Sequence, residues 1–190
     1  MGIYVLSFGV LANIVGTIPY IIGTLQGSTK PNKISWFFWT LAPGIAAFSS
    51  YAAGAGLASI PAFCGAALCA VVLLLSFFNR AAYWRLEAFD YACGVFALFG
   101  LVLWYTPSNP LLALGFAIAA DISASIPTVR KAWTHPETES PWTYAGGFLN
   151  GFGGLFVLPA LNFASLGFPI TTVIIESTIL SALFYRNKSN

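Results

Sequence analysis

The stretch DISASIPTVRKAWTHPETESPW, Asp121 to Trp142, decides how this chain is read. An apolar segment carrying one acid, Asp121, meets Ile126-Pro127 and ends on Arg130 and Lys131. It then crosses a polar loop and turns apolar again at Trp142. The same plan occurs earlier as NIVGTIPYIIGTLQGSTKPNKISW, Asn13 to Trp36. There Ile18-Pro19 takes the place of Ile126-Pro127, Lys30-Pro31 that of His135-Pro136, and Trp36 that of Trp142. Pro19 and Pro127 are 108 residues apart, as are Pro61 and Pro169, each near the start of a later apolar segment. Two independent landmarks with one offset indicate an internal duplication.

Composition sets the class. Of 190 residues 58% are apolar and 7% charged, against roughly 25% charged in soluble domains. A helix needs about 20 mostly apolar residues to cross a bilayer, and nearly the whole chain consists of such runs. The expected class is an all-α integral membrane protein with spans at about 3–25, 34–54, 58–78, 89–105, 110–129, 142–162 and 166–185. Met1–Leu25 lacks the basic start and small-residue cleavage site of a signal peptide, so it reads as the first span. Net charge is +2, with the basic residues at helix ends rather than in a patch, which gives no reason to expect nucleic acid.

All eight Lys and Arg fall in alternate connections: Lys30 and Lys33, Arg80 and Arg85, Arg130 and Lys131, Arg186 and Lys188. By the positive-inside rule these connections are cytoplasmic, which puts the N-terminus outside and the C-terminus inside. A three-helix repeat is odd, so direct fusion would invert the second copy. One extra crossing, about 89–105, restores its orientation. The expected plan is therefore two parallel three-helix repeats joined by a linker helix, with units 1–80, 81–107 and 108–190. Glu87 and Asp90 near the start of the linker helix suit its dipole.

This three-plus-one-plus-three plan, with a proline late in the first helix of each repeat, resembles the SWEET sugar transporters and the wider PQ-loop superfamily. That superfamily also holds bacterial nicotinamide riboside transporters and retrieval-signal receptors of the secretory pathway. Pro19-Tyr20 and Pro127-Thr128 stand where the superfamily has Pro-Gln, so the eponymous dipeptide is absent from both copies. KPNKISWFFW and the Asp121–Trp142 stretch are similar to small uncharacterised bacterial membrane proteins, which implies a bacterial inner (plasma) membrane. Trp36 and Trp39 form a Trp-x-x-Trp pair of the kind seen in riboside transporters. The resemblance implies transport of a small polar solute (sugar, nucleoside or vitamin, or amino-acid-like) by alternating access.

Four strongly polar residues inside spans are the candidate solute ligands. An ionised acid at mid-bilayer costs about 2.5–3.5 kcal/mol on insertion scales, so Asp121 and Glu176 should face the bundle interior. Asp121 is roughly 13 Å from Arg130 along its helix, and Glu176 roughly 15 Å from Arg186. Asn13 and Asn150 fall at similar depth, roughly 18 Å from Leu25 and roughly 12 Å from Trp142. Parallel-repeat transporters bind solute at that depth, between the repeats. The asparagines equally suit plain interhelical hydrogen bonds, and Asp121 a protonated, bonded carboxyl. Asn13 aligns with Asp121, Gly44 lies near the counterpart of Asn150, and Leu68 or Cys69 near that of Glu176. The acids thus belong to the second repeat alone, which suits a cation, a proton or a donor-rich solute and raises the expectation of proton coupling through Asp121. Trp36 and Trp39 are expected to help close the site.

Pro19, Pro43 and Pro127 are the candidate hinges, because an internal proline removes a helix hydrogen bond and kinks the helix. A static kink that only shapes packing is the alternative. Gly147 and Gly151 allow helix six to approach a neighbour. Trp84, Trp104, Trp133 and Trp142 read as an interfacial aromatic belt. Cys64, Cys69 and Cys93 lack metal spacing and read as small apolar residues. His135, beside Glu137 and Glu139, reads as part of a solvated loop.

A small-ligand or sorting receptor on the same fold, without transport, is the second reading. An enzyme is not expected, since no hydrolase or zinc-protease pattern occurs and a single histidine cannot build a triad. A retinal protein would need a lysine within a span. No cofactor or metal is implied; the expected partners are lipid, a small solute and further copies of the chain.

Overall fold

The computed structural model describes residues 1–82, 84–105 and 109–187. The break at 106–108, Lys188 and the side chains of Trp104 and Arg186 lie outside the described residues. Among the described residues there are seven α-helices and no strand. They are α1 (Gly2–Gln26), α2 (Lys33–Ala52), α3 (Ile60–Phe78), α4 (Ala88–Tyr105), α5 (Pro110–Thr134), α6 (Pro141–Gly154) and α7 (Phe163–Asn187).

Local chemistry sets their ends. Gly27, with φ 82°, supplies the left-handed cap that stops α1. Asn32 opens α2 by accepting the backbone N–H groups of Ile34 and Ser35. Its Nδ2 donates to Asp90 Oδ1 at 3.1 Å, and Asp90 Oδ2 accepts from Glu87 N at 2.7 Å. Asp90 therefore caps α4 and ties it to α2, while Glu87 pairs with Arg130 at 2.8 Å. Both acids of the linker region have structural partners.

Two helix ends differ from the sequence expectation. α5 runs to Thr134, so Arg130 and Lys131 belong to its last turns, where cations suit the helix dipole. α6 stops at Gly154, not near residue 162. Gly146, Gly147, Gly151, Gly153 and Gly154 crowd this 14-residue helix, and each glycine weakens a helix by about 1 kcal/mol relative to alanine. Apolarity alone could not register that cost.

α3 lies between α1 and α2, whose backbones stay apart although Tyr20 reaches across to Trp36; α7 likewise lies between α5 and α6. The two trios meet along α1 with α6 and along α2 with α5, and α4 packs on α5 and α2. Contacts fix the directions. Gly9 abuts Leu149 and Gly16 abuts Trp142, so α1 and α6 are antiparallel. Gly147 faces Glu176 and Gly151 faces Thr172, so α6 and α7 are antiparallel. Ile118 meets Gly167 and Trp133 stacks on Tyr185, so α5 and α7 are parallel. It follows that α1 and α5 run the same way. Every basic side chain among the described residues lies at one end of the molecule, and no charged side chain lies in the connections at the other.

The α1–α6 seam is built on glycine. Gly2, Gly9 and Gly16 recur every seven residues on one side of α1, each against a backbone carbonyl of Phe156, Leu149 or Trp142. Gly146 and Gly153 answer from α6, against the carbonyls of Ala12 and Val5. The α2–α5 seam uses alanine instead, with Ala42, Ala46, Ala117, Ala120 and Ala124 all fully buried. Small residues at both seams bring backbones close where hydrophobic burial gives helices no drive to associate.

The surface inverts that of a water-soluble domain. Phe8 is 62% exposed and Phe96 70%, with many apolar neighbours along α1, α3, α4 and α7. The interior holds Asn13, Asp121, Lys131 and Asn150. An apolar exterior this continuous is far larger than soluble monomers carry. By length and composition α1, α3 with its preceding turn, α5 and α7 are apolar enough to cross a membrane. The described residues are all-helical, and these four helices with the apolar exterior point to a membrane protein.

Candidate functional site

All six residues singled out as solute ligands line one cavity at the centre of the bundle, of about 70 Å³. Asn13 comes from α1, Trp36 and Trp39 from α2, Asp121 from α5, Asn150 from α6 and Glu176 from α7. Asn13, Asp121 and Asn150 are each at most 6% exposed, far from water in any direction but that of the cavity. Pro43 also lines it, whereas Pro19 and Pro127 sit inside α1 and α5 away from its wall.

Each half of the molecule reaches across to the other at this wall. Asn150 Nδ2 donates to the carbonyl of Pro61 at 2.8 Å, joining α6 to the start of α3. Thr143 Oγ1 donates to Thr17 Oγ1 at 3.2 Å, joining α6 to α1. Thr17 in turn donates to the carbonyl of Asn13 at 2.7 Å. Asn150 therefore does make an interhelical bond, but only with its nitrogen. Its Oδ1 is buried without a partner, as is Glu176 Oε2. Asp121 makes no side-chain hydrogen bond or ion pair among the described residues, and the two carboxyls are within electrostatic reach of each other.

The aromatic wall is tightly arranged. Trp36 and Trp39 meet edge to face with ring centroids 5.6 Å apart, and Tyr20 leans on Trp36 at 4.8 Å. Tyr144 completes this cluster and borders the cavity. The sequence pairing of Trp36 with Trp142 is corrected here. Trp142 is 66% exposed on the outer surface, and Tyr144, 108 residues after Trp36, occupies the corresponding place in the wall. The intervening loops of the two halves differ in shape, so the tryptophans do not align in space.

Between the cavity and the charged end lies a buried latch. Lys131 Nζ pairs with Glu139 Oε1 at 2.6 Å, with both side chains out of contact with solvent. It also donates to the carbonyl of Lys30 and lies 4.8 Å over the Trp84 ring. The second carboxylate oxygen of Glu139 accepts from the Tyr144 hydroxyl at 2.5 Å, and Lys30 N donates to Thr138 O at 3.1 Å. The α1–α2 loop of one half is thus fastened to the α5–α6 loop of the other. Sequence reading missed this group. It placed Lys131 at a helix end and read the loop of His135, Glu137 and Glu139 as solvated, which holds for His135 and Glu137 but not Glu139.

Other wall residues also went unpredicted: Thr17, Thr143, Thr172, Tyr144 and Cys69. Cys69 lies next to the position aligned with Glu176. The sequence signal available for the threonines was depth alone: Thr17 is one helical turn from Asn13, Thr172 one turn from Glu176 and Thr143 about two turns from Asn150. Gly147 takes on a specific role: a Cβ there would overlap the Glu176 carboxyl, so its bare backbone leaves room for that group. Among the described residues no group of three potential metal ligands exists. Comparison with family models, with curated proteins and with solved structures finds no significant match.

Proposed function

We propose that this chain is a seven-span membrane transporter for a small polar solute, working by alternating access between two parallel three-helix bundles, 1–80 and 108–190, with α4 as linker. The proposal rests above all on one observation: a cavity whose largely apolar wall holds a few buried, unsatisfied polar groups lies between the two trios and draws on both. A buried polar layer this deep is costly unless it is used. The positive-inside rule assigns the charged end to the cytoplasm and the N-terminus to the outside. The fold plan supports kinship with SWEET-like and PQ-loop proteins.

In this reading the Lys131–Glu139–Tyr144 latch is the cytoplasmic closure. Parting it would let the α1–α2 and α5–α6 loops separate, with Pro19 and Pro127 as the bends and Pro43 adjusting the cavity wall. The glycine seam of α1 and α6 would serve as the surface on which the halves turn.

Thiol accessibility tests this without knowing the solute. Cys69 is the native probe, with Cys64 and Cys93 replaced by alanine. A membrane-impermeant thiol reagent is applied to right-side-out and to inverted vesicles. Modification of Cys69 from both sides is the expected result. Modification from one side only, under every condition tried, would favour a receptor on this fold instead.

A further inference from the structure

The cavity wall is unbalanced in its hydrogen-bonding chemistry. Its unpaired groups are three acceptors, the Asp121 carboxyl, Glu176 Oε2 and Asn150 Oδ1, against one donor, the Trp36 indole N–H. The hydroxyls around them have committed their protons elsewhere. Thr17 donates to Asn13 O, Thr143 to Thr17, Thr172 to Phe168 O at 3.1 Å and Tyr144 to Glu139. They turn lone pairs, not protons, to the cavity. The donors left on the wall are the Asn13 amide, the Trp36 indole N–H and the weak Cys69 thiol. Among the described residues no lysine, arginine or histidine lines the space; the cation of the latch, Lys131, is already engaged by Glu139 and Lys30.

Such a wall is short of both donors and positive charge. A sugar would bring acceptors as numerous as its donors, and an anion would meet two carboxyls. Calcium and magnesium take six or more oxygen ligands and zinc prefers histidine and cysteine in a tetrahedral set, while the wall offers two carboxyls beside two indole rings. Those rings argue for a cation of organic type, since Trp and Tyr faces attract weakly hydrated ammonium and guanidinium groups. Size narrows the choice. A cavity of about 150 Å³ holds benzene, and this one is about half that.

Taking the cavity as the solute site of the proposed transporter, we infer that its solute is a small organic cation carrying N–H donors, an alkylammonium or guanidinium head held between Asp121 and Glu176 against the Trp36–Trp39 wall. The N–H groups satisfy Glu176 Oε2 and Asn150 Oδ1, and the charge supplies what two adjacent carboxyls lack. Buried acceptors left unpaired discriminate strongly against a solute that cannot donate to them.

Titration calorimetry on the purified full chain in detergent tests the inference separately from transport. The probes are methylammonium and guanidinium at non-denaturing concentration, against urea, tetramethylammonium, sodium and glucose. Urea matches guanidinium in shape without its charge; tetramethylammonium has the charge without N–H donors. Saturable binding of methylammonium or guanidinium is expected, at least tenfold tighter than of urea, tetramethylammonium or sodium. Glu176→Gln and Asp121→Asn should each weaken it tenfold or more with thermal unfolding unchanged. Gly115→Ala, away from the cavity and with nothing within 4 Å of the added atom, should leave it within threefold. Equal or tighter binding of urea or glucose would overturn the inference, as would no binding of either cation. Affinity unchanged in both carboxyl variants would do so too. Cation binding together with Cys69 modified from one side only would uphold the cation site and sink the transporter.

Discussion

Gly147 faces the Glu176 carboxyl so closely that a methyl group in place of its hydrogen would overlap Oε1. The obstacle is the far end of a flexible side chain, not backbone. Gly147→Ala should therefore spare the fold and swing Glu176 away from its place in the cavity. Alanine is also the better helix former, by about 1 kcal/mol. We expect thermal stability in detergent to be unchanged or slightly raised while methylammonium affinity falls about as far as in Glu176→Gln. A variant that binds like the wild type would show that the position of Glu176 is unimportant.

The glycines of α1 behave differently. A Cβ on Gly9 or Gly16 meets a carbonyl of α6, and one on Gly146 lies 2.7 Å from Ala12 O. Backbone cannot yield as a side chain does, so the helices must part. Overpacking of this kind typically costs about 1–3 kcal/mol. Gly9→Ala and Gly146→Ala should each lower the unfolding temperature, whereas Gly115→Ala, with nothing within 4 Å of the added atom, should not. Equal tolerance at all three positions would remove the seam from the account of stability.

The latch makes a prediction in two parts. Removing one partner of a buried ion pair typically costs about 3–5 kcal/mol, because the other charge is left uncompensated. Glu139→Ala strands the Lys131 charge beside Trp84, so it should destabilise strongly or hold the charged end open. Removing both charges in Lys131→Met/Glu139→Gln should recover much of the loss in unfolding temperature. It should also leave Cys69 more reactive from the cytoplasmic side than in the wild type. A double variant no better than Glu139→Ala would mean that the charges do not act as a pair.

The polar layer was legible because charge in a span is rare enough to be placed by depth alone. Asn13, Asp121, Asn150 and Glu176 stand out in a chain that is 7% charged. The helices were legible for the same reason, through apolar runs punctuated by Lys, Arg, Gly and Pro. What depth cannot show is the path of a loop. Lys131 and Glu139 are eight residues apart, and only the turn at Pro136–Thr138 folds the chain back to bury them together. Polarity in a connection reads as solvation until that turn is known. The seven-residue spacing of Gly2, Gly9 and Gly16 was visible in the sequence, but its partner was not. Nothing local pairs α1 with α6 across the molecule. The early end of α6 was hidden by a sum in which leucine and phenylalanine outweigh glycine, although backbone freedom, not hydropathy, stops a helix.

The last prediction concerns pH. A cation held by Asp121 and Glu176 competes with protons for the same two groups, since protonating either one removes counter-charge from the site. The other titratable groups on the wall are Cys69 and Tyr144, and the Tyr144 hydroxyl is bonded to Glu139. Neither thiol nor phenol gains charge on acidification, so the effect has one sign: affinity for methylammonium should fall as pH is lowered. Linkage sets its limit at about tenfold per pH unit for each proton displaced. Asp121→Asn and Glu176→Gln then tell which group exchanges the proton, because the variant lacking that group should bind weakly with a flat profile. The sequence favours Asp121, whose counterpart in the first half, Asn13, cannot titrate. In proteoliposomes the same competition would couple the two fluxes, so methylammonium uptake should respond to an imposed pH gradient in the wild type and not in Asp121→Asn. Wild-type affinity that does not change with pH would sink proton competition and leave the two acids as fixed ligands of the solute.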